Sequence, residues 1–373
     1  MNHIVLILRH FTVGGLERVL LSHVRILLDA NYDVTVCVLD PGRDNALVFE
    51  LPPAVHLVTA PANPLQRHSF LRQIVHDRVV ILEFGDGRLY PTIRPALLTA
   101  RRVIRFCHSD YSHLRNRTKN LLDRLLAAGE DRIIAVGGRS TRFLLDDVGI
   151  PGHKVVTLAN AIEPIHAAPE PPPWSWTATG YLVAVQSLYQ HKGHDTLLQA
   201  FAEATRDRPS DVRLVIIGDG DQTIALHRLA EDLHIGDRVV WLGAVWHRDV
   251  VHTVLEGAAA FISTSRFEGI PISILEACQH GLPLILTDIP GHRDGAQSGP
   301  ATFVPVDDVA ATAAAIRTLL THPPAERNTD DDHIRAAWER YRYQLLAELA
   351  ATQTTPGDDC VPNQASPTTD IRR

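Results

Sequence analysis

The sequence predicts an α/β protein of two domains, each with a doubly wound parallel sheet, that face each other across a cleft. Three observations lead to this prediction. A chain of 373 residues is too long for one ordinary core. Short β-branched runs alternate with helical segments in both halves, as in parallel sheets that helices cover on both faces. A proline-rich stretch, 166–179, separates the two series and is predicted to be the linker.

Each half of the chain carries six predicted strands. In the N-terminal domain, residues 1–165, they are 4–8, 34–39, 79–84, 103–107, 132–136 and 155–158. Between the first two, apolar residues from Leu16 to Leu28 recur at helical spacing. In the C-terminal domain, residues 180–328, the strands are 181–185, 213–218, 238–243, 260–265, 282–287 and 302–306. Ligands of such sheets bind at the carboxyl ends of the strands, so functional motifs should follow strands.

The chain changes character again near its C-terminus. The segment 321–333 interrupts the second series, and Asp330 to Asp332 are suited to cap a last amphipathic helix at about 333–351. We expect residues 329–351 to pack back towards the N-terminal domain. The tail, 352–373, is polar and is predicted to be disordered.

Composition narrows the function classes. With 45% apolar and 21% charged residues, the chain has the balance of a soluble globular protein, and its net charge of −7 gives no reason to propose a nucleic-acid partner. Cys37, Cys107, Cys278 and Cys360 lie far apart without metal-ligand spacing, which favours reduced thiols in the cytoplasm. The apolar run near the N-terminus is too short for a signal peptide, and no apolar stretch approaches the ~20 residues that span a bilayer.

The segment "RFEGIPISILEACQHGLPLILTDIPG" contains a carboxylate in unexpected surroundings. Glu276 lies one turn inside a helix that begins near Ile272, among apolar residues, and Glu268 lies in the loop before that helix. A buried carboxylate without partners costs several kcal/mol, so Glu276 needs them, and paired sugar hydroxyls are suitable. Gly269 would allow close approach of a ligand to the backbone. The alternative is a helix cap with a structural salt bridge.

This segment closely resembles the signature of the retaining GT-B glycosyltransferases, and within them family 4. That fold consists of two Rossmann-like domains around a central cleft. The resemblance implies that Glu268 contacts the hydroxyls of a donor sugar and that Glu276 binds the nucleotide ribose. It also places Gly269, Ile270 and Pro271 at the nucleotide.

Two further stretches resemble the same family. "VAVQSLYQHKGHDTLLQAF" (183–201) resembles an element in which Arg and Lys neutralise the leaving diphosphate. Lys192 matches the Lys, whereas Ser187 takes the place of the Arg. The departure implies that a neighbouring cation substitutes or that phosphate binding is weaker. A lone Lys-Gly is otherwise an ordinary turn.

The glycine pair Gly14-Gly15 lies in "RHFTVGGLERVLLSHV", which resembles a family loop beside the donor phosphate and the acceptor. It is not a GxGxxG fingerprint, and the chain has no GxxxxGK[ST] motif. His108 ends a predicted strand, and the resemblance places it at the transferred sugar. The resemblance thus implies His108, Lys192 and Glu268 as catalytic residues. For His108, a polar strand end remains the alternative.

We expect no metal ion. Asp219 and Asp221 form a DxD pattern, but they lie in "LVIIGDGDQ", which resembles a glycine turn of the family. The histidines show no HExxH or similar ligand spacing. The nucleotide sugar is then a co-substrate, and no cofactor is expected.

Between Arg88 and Lys119 there are eight Arg or Lys residues and one acid, Asp110. A solvated helix face is one interpretation. The other is a surface for an anionic or lipid-linked acceptor, or for lipid headgroups, with peripheral association at the inner face of the membrane.

The function predicted from the resemblance is transfer of a sugar, with retention, from a nucleoside-diphosphate sugar to an acceptor hydroxyl. We take UDP as the default nucleotide. The mechanism implied is front-face, without metal. Three alternatives stay open: a sugar-nucleotide epimerase, a glycoside phosphorylase and a non-catalytic nucleotide-sugar-binding subunit.

Overall fold

The computed structural model describes residues 3–12, 14–40, 46–84, 90–108, 117–165, 180–207, 212–296, 299–323, 327 and 329–351. The proposed linker and tail lie outside these ranges. The strands of the N-terminal half are β1 His3–Leu8, β2 Asp33–Val38, β3 His56–Thr59, β4 Val79–Leu82, β5 Arg102–Cys107, β6 Arg132–Ala135 and β7 Val155–Thr157. Its helices are α1 Gly15–Asp29, α2 Pro64–Val75, α3 Tyr90–Leu97, α4 Arg117–Ala127 and α5 Gly138–Arg142.

The C-terminal half forms a second set of elements. Its strands are β8 Tyr181–Val185, β9 Arg213–Ile217, β10 Val239–Gly243, β11 Ala260–Ser263, β12 Leu284–Thr287 and β13 Ala301–Val304. Its helices are α6 His194–Ala204, α7 Thr223–Asp232, α8 Arg248–Gly257, α9 Ile272–Gln279, α10 Pro290–Gly295, α11 Val309–Thr321 and α12 Asp331–Ala350. In the part of the chain described, every helix is too short or too polar to cross a membrane.

Two parallel sheets confirm the predicted fold class. The first has the order β3-β2-β1-β4-β5-β6-β7 and the second β10-β9-β8-β11-β12-β13, and all neighbouring strands are parallel. The order of strands reverses between β1 and β4 in the first sheet and between β8 and β11 in the second. These are the points at which such sheets bind ligands.

Each sheet is buried on both faces, which explains why its strands read as continuous apolar runs. Along β1, Leu6 packs in one core cluster and Ile7 in the cluster on the opposite face. Along β8, Leu182 and Val183 likewise pack in core clusters on opposite faces of the second sheet. Successive side chains of a strand point to opposite faces, so a central strand covered by helices needs apolar residues at every position.

One strand, β3, was not predicted. It lies at the edge of the first sheet, pairs only with β2 among the described strands, and is mostly exposed. Its sequence, HLVT, follows Pro52 and Pro53 and lacks the apolar run of the central strands. An exposed edge strand needs few apolar residues, so the pattern that identifies the others is missing here.

The last helix, α12, begins as the sequence indicates and joins the first core. The Asp330 carboxylate accepts a hydrogen bond from the backbone N–H of His333 at 3.0 Å and caps the helix. Trp338, Tyr341 and Leu345 are buried in the cluster that covers β1 and β2. The chain therefore returns to the N-terminal domain after completing the second sheet.

Candidate functional site

A cavity of about 1020 Å³ lies between the carboxyl ends of the two sheets. It contains every site residue that the sequence indicated: Gly14, Gly15, His108, Ser187, Lys192, Glu268, Gly269, Ile270, Pro271 and Glu276. Gly14 and Gly15 follow β1, and His108 follows β5. Lys192 follows β8, and Glu268 follows β11. The fold thus brings together side chains that are up to about 260 residues apart in the chain, since parallel strands end at one edge of a sheet.

Lys192 and Glu268 form an ion pair inside this cavity. The Lys192 Nζ lies 2.6 Å from Oε1 of Glu268, which also accepts a hydrogen bond from the Ser265 hydroxyl at 2.8 Å. Burial by itself would raise the pKa of Glu268. The charge and the hydrogen bond of Lys192, with smaller contributions from His292 and Ser265, outweigh burial and lower the pKa below its usual value. Glu268 is therefore an ionised carboxylate that accepts hydrogen bonds only.

Gln186, which stands where the family element has a Gly just before the position of Ser187, contacts this pair. Its side-chain Nε2 donates to the hydroxyls of Ser263 and Ser265 at 2.7 and 2.8 Å, and it lies 3.4 Å from Oε1 of Glu268. Gln186 is 8% exposed. Because Gln186 lies against Glu268 and also binds the Ser265 hydroxyl that donates to it, Gln186 helps to orient this carboxylate.

Glu276 has a different environment. It is 6% exposed on α9, and the Nε of Arg248 lies 3.5 Å from its Oε1. Burial raises the pKa of Glu276, and the charges of Arg248 and Arg18 only partly oppose this. The salt bridge considered from the sequence thus exists with Arg248, at a distance that leaves the carboxylate incompletely compensated.

Arg248 begins a chain of hydrogen-bonded side chains through two buried histidines, and the positions of the protons follow from which groups can donate. Its Nε donates to Nε2 of His252 at 2.9 Å, the other nitrogen of His252 lies 2.9 Å from Nε2 of His280, and Nδ1 of His280 lies 2.7 Å from Glu256. Arg can only donate, so both imidazoles are neutral with the proton on Nδ1. Burial, then the charge of Arg248, lowers the pKa of His252 to about 3. The chain orients Arg248 towards Glu276.

Arg18 brings a second unpredicted cation to the cavity from the other domain. It belongs to the quoted GGLER stretch, but the sequence assigned it no role. Its guanidinium binds both carboxylate oxygens of Glu50 at 2.6 and 2.7 Å and donates to the backbone carbonyl of Trp246 at 2.5 Å. Arg18 therefore connects α1 with the loop before α8, across the cleft. Arg248, the first unpredicted cation of the cavity, lies in no recognisable motif, so nothing in the sequence indicated its role.

Two glycines are required by close backbone approach. A Cβ on Gly269 would lie 2.3 Å from the backbone oxygen of His108, so the loop before α9 meets the end of β5 directly. Gly193 has a φ of 69°, and a Cβ there would lie 2.1 Å from the carbonyl oxygen of Thr264. Both positions set the shape of the cavity next to Lys192 and Glu268.

The Asp219 side chain caps a turn. Its Oδ1 accepts hydrogen bonds from the Gly220 N–H at 2.7 Å and the Thr223 hydroxyl at 2.6 Å. Among the described residues, no three His, Cys, Asp or Glu side chains form a group that could hold a metal ion. Whether the protein uses a metal stays a prediction.

The basic stretch does not form one continuous surface. Arg105 is buried against Glu130 at 2.8 Å, and Arg102 donates to backbone carbonyls at the end of α12. Arg101 pairs with Asp77 at 3.0 Å. Arg102 and Arg105 are buried, so they do not contribute to an anion-binding surface, whereas Arg101 stays exposed in its ion pair. Residues 85–89 and 109–116, which include Arg88 and Arg115, lie outside the described ranges.

Comparison with known proteins agrees with this architecture. The model for "Glycosyltransferase Family 4" matches residues 13–165, and that for "Glycosyl transferases group 1" matches residues 177–337. The gpi3 subunit of phosphatidylinositol N-acetylglucosaminyltransferase from Schizosaccharomyces pombe is 25% identical over 82% of this chain and 70% of its own length. A phosphatidylinositol N-acetylglucosaminyltransferase subunit from Arabidopsis thaliana is 31% identical over 69% of this chain and 59% of its own length, so the chain spans less than two thirds of that relative.

Solved structures share the arrangement of the two domains. HepE from Anabaena, crystallised in complex with UDP and glucose, superposes with a TM-score of 0.77, at 17% identity, over 94% of this chain and 99% of its own. At that identity the likeness establishes the fold. The two family models, which match one domain each and together span most of the chain, show that it belongs to the family 4 and group 1 glycosyltransferases, and the solved structure shows that the fold is GT-B.

Proposed function

We propose that this protein transfers a sugar from a nucleoside-diphosphate sugar, with UDP as the nucleotide, to an acceptor hydroxyl, with retention at the anomeric carbon and without a metal ion. The observation that carries the proposal is the pair of Lys192 and Glu268 at 2.6 Å inside the cleft between the domains. A cation for a phosphate and an acceptor for sugar hydroxyls are neighbours there. In a nucleotide sugar, the phosphate and the sugar are neighbours in the same way.

The donor would occupy the C-terminal side of the cleft. Glu276 would bind the ribose hydroxyls and Glu268 the sugar hydroxyls, with the start of α9 near the diphosphate. A helix start offers free N–H groups and a positive dipole end. Several relatives support a UDP-hexose: HepE was crystallised with UDP and glucose, and two relatives are named N-acetylglucosaminyltransferases.

Arg248 and Arg18 would supply positive charge in place of the arginine that Ser187 replaces. Both line the cavity, and both lower the pKa of Glu276 through their charges. Arg248 lies next to Glu276, so it would act near the ribose and the adjoining phosphate. With Lys192, three protein cations would then face a ligand that carries a diphosphate, which is why the proposal includes no metal.

The reaction would be a front-face substitution. The bond between the anomeric carbon and the phosphate oxygen breaks, the acceptor oxygen bonds to that carbon from the same face, and the acceptor proton passes to the departing phosphate oxygen. The protein contributes orientation and charge stabilisation. Lys192 would stabilise the leaving diphosphate, and the ion pair with Glu268 would hold Lys192 in place.

The acceptor would be lipid-linked or anionic. The protein would reach it at a membrane surface, to which α4 would bind. Leu121, Leu122 and Leu125 are exposed by 57, 42 and 64%, and Arg117 and Arg124 flank them on the same helix. Exposed leucines with basic neighbours are typical of helices that lie in the interface of an anionic bilayer. The names of two relatives include phosphatidylinositol, which agrees with a lipid acceptor.

A transfer assay in the presence of EDTA tests the proposal. UDP-glucose, UDP-galactose and UDP-N-acetylglucosamine would be offered with and without a phosphatidylinositol acceptor, and the anomeric configuration of the product would be read by proton NMR. We expect an α-linked product that forms only with acceptor. Turnover of the donor without acceptor would indicate an epimerase, dependence on free phosphate a phosphorylase, and binding without transfer a non-catalytic subunit.

A further inference from the structure

Three buried side chains and the partly buried His108 form a continuous chain from α12 to the cavity. The Tyr341 hydroxyl lies 2.5 Å from Nε2 of His23, and Nδ1 of His23 lies 2.5 Å from Oε1 of Glu83. The second carboxylate oxygen, Oε2, lies 3.1 Å from Nε2 of His108, which lines the cavity. Glu83 and His23 are fully buried. No motif in the sequence indicates this chain, because Glu83 lies within a predicted strand.

Glu83 is ionised in this environment. Burial would raise its pKa, but the charge of His23 and the hydrogen bonds from both histidines outweigh burial and lower the pKa of Glu83 to about 2. An ionised carboxylate only accepts hydrogen bonds, so the nitrogens that face it, Nδ1 of His23 and Nε2 of His108, must both carry protons.

This requirement places a proton on Nε2 of His108. A neutral ring with its proton on Nε2 offers Nδ1 as an acceptor, whereas the opposite tautomer would leave a buried carboxylate oxygen unpaired. The ring also stacks on Phe106 at a centroid distance of 5.7 Å, which restricts its rotation. The carbonyl of His108 is in contact with Gly269, so the residue is held from both sides.

Glu83 does more here than balance a charge. In the part of the chain that the structure describes, its partners are two imidazoles and neither Lys nor Arg. A single buried cation would compensate one carboxylate, whereas Glu83 uses one oxygen on His23 and the other on the residue that lines the cavity. A residue that orients His108 must keep one oxygen for it, and Glu83 does so because His23 occupies only the other oxygen.

We propose that Glu83 is a positioning residue for sugar transfer: it fixes His108 as the Nε2-protonated tautomer, so that Nδ1 accepts a hydrogen bond from a hydroxyl of the bound sugar. The proposal rests on the function proposed above. His23 occupies the other carboxylate oxygen of Glu83, and the Tyr341 hydroxyl lies beyond His23, at the far end of the chain. Only His108 would touch the substrate.

Glu83→Gln tests the role in turnover. The amide is close in shape but can donate as well as accept, so it no longer selects one tautomer of His108. We expect kcat to fall by roughly 10²-fold or more, by analogy with the carboxylate that orients a catalytic histidine, while KM and the calorimetric Kd for UDP change less than about threefold. Tyr341→Phe is the matched control: it breaks the same chain at its far end and should leave kcat within about threefold.

A purely structural role predicts another result. Both variants would then lose thermal stability while the folded fraction kept the wild-type kcat, and this would overturn the proposal. If Glu83→Gln does not fold, Glu83→Asp takes its place. The Asp variant keeps the negative charge but moves it away from His108 by the length of one methylene, so it should still lower kcat without changing the Kd for UDP. An unchanged kcat in the folded Asp variant would also overturn it.

A measurement on the ligand-free protein separates this inference from the proposed function. Long-range ¹H–¹⁵N correlation NMR of imidazole-labelled protein, with His108 assigned through His108→Gln, reports the tautomer directly. We expect the proton on Nε2 in the wild type and a mixture of tautomers in Glu83→Gln. A wild-type His108 that carries a proton on Nδ1, alone or together with one on Nε2, overturns the positioning role, whether or not transfer is ever observed. Absence of transfer with the expected tautomer overturns the proposed function instead, and with it the role of Glu83 in turnover.

Discussion

At the scale of single residues, Glu268 and Glu276 carry the same carboxyl group, but their surroundings shift its pKa in opposite directions. Lys192 at 2.6 Å lowers the pKa of Glu268, whereas burial raises the pKa of Glu276, which has Arg248 only at 3.5 Å. Glu268 is thus held at its Oε1 by a cation, the Ser265 hydroxyl and the Gln186 amide. Glu276 retains acceptor capacity, and ribose hydroxyls would use it.

We predict that Glu276→Ala mainly weakens nucleotide binding. Loss of hydrogen bonds to a charged group costs about 1.5–3 kcal/mol, which corresponds to roughly a 10- to 150-fold increase in the Kd for UDP, measured by calorimetry. Glu256→Ala is the control, because Glu256 ends the same hydrogen-bonded chain but does not line the cavity. If Glu276→Ala bound UDP as tightly as the wild type, its assignment to the ribose would be wrong.

Lys192→Ala should act on turnover. Removing one group that stabilises charge in the transition state costs roughly 3–4 kcal/mol of barrier, so kcat should fall by about 10²- to 10³-fold with a smaller change in KM. Steady-state kinetics of transfer would measure both. Lys192→Arg, which keeps the charge, should recover part of the rate, and equal kcat values for Ala, Arg and wild type would contradict the role.

At the scale of elements, the strands and helices that could be predicted from the sequence are those with a regular local pattern of apolar or capping residues. The central strands were recognised because both faces of each sheet are covered, and α12 was recognised from its acidic cap. The edge strand β3 lacks that pattern. Within the site, residues in a family motif were found, but Arg248 and Glu83 were missed. Their roles come from contacts with residues far away in the chain, which no spacing rule records.

The α4 helix carries the prediction about membranes. Leu121→Asp combined with Leu125→Asp should abolish co-flotation with vesicles that contain phosphatidylglycerol, because each charge opposes insertion of an exposed apolar face. Leu65→Asp, at a position on α2 that is 83% exposed, is the matched control and should still bind. If the double variant floated like the wild type, α4 would not be the binding surface.

At the scale of the whole molecule, contacts across the cleft hold the two domains together beside the cavity. Arg18 reaches the Trp246 carbonyl at 2.5 Å, and Asn160 donates to the Ile270 carbonyl at 3.2 Å. The Gln279 side chain donates to the Glu163 carbonyl at 2.8 Å. Since Arg18 and Ile270 also line the cavity, the same residues that join the domains shape the site.

Three buried histidines make stability sensitive to acid. Burial lowers the pKa of His194 to about 4, of His252 to about 3 and of His292 to about 4, all from 6.5. Below pH 6.5 the unfolded chain binds protons that the native protein does not, so the free energy of unfolding should fall as the pH falls from 6.5 towards 4. The slope is at most about 1.4 kcal/mol per pH unit for each histidine.

Urea denaturation at pH 7.5 and 5.0 would measure this loss. His194→Phe removes one of the three titrating groups and should make the difference between the two pH values smaller. A free energy of unfolding that is the same at both pH values would contradict the assignment of neutral, buried imidazoles.

The central claim is that the cleft between the two sheets holds a nucleotide sugar between Lys192, Glu268 and Glu276. Calorimetric titration of the wild type and of the Glu268→Ala/Glu276→Ala double variant with UDP-glucose and UDP-N-acetylglucosamine tests it most directly. We expect one site per chain for at least one of these donors, and an affinity at least about 100-fold weaker in the double variant. Binding that the double variant retains in full, or no binding of either donor to the wild type, would contradict the account.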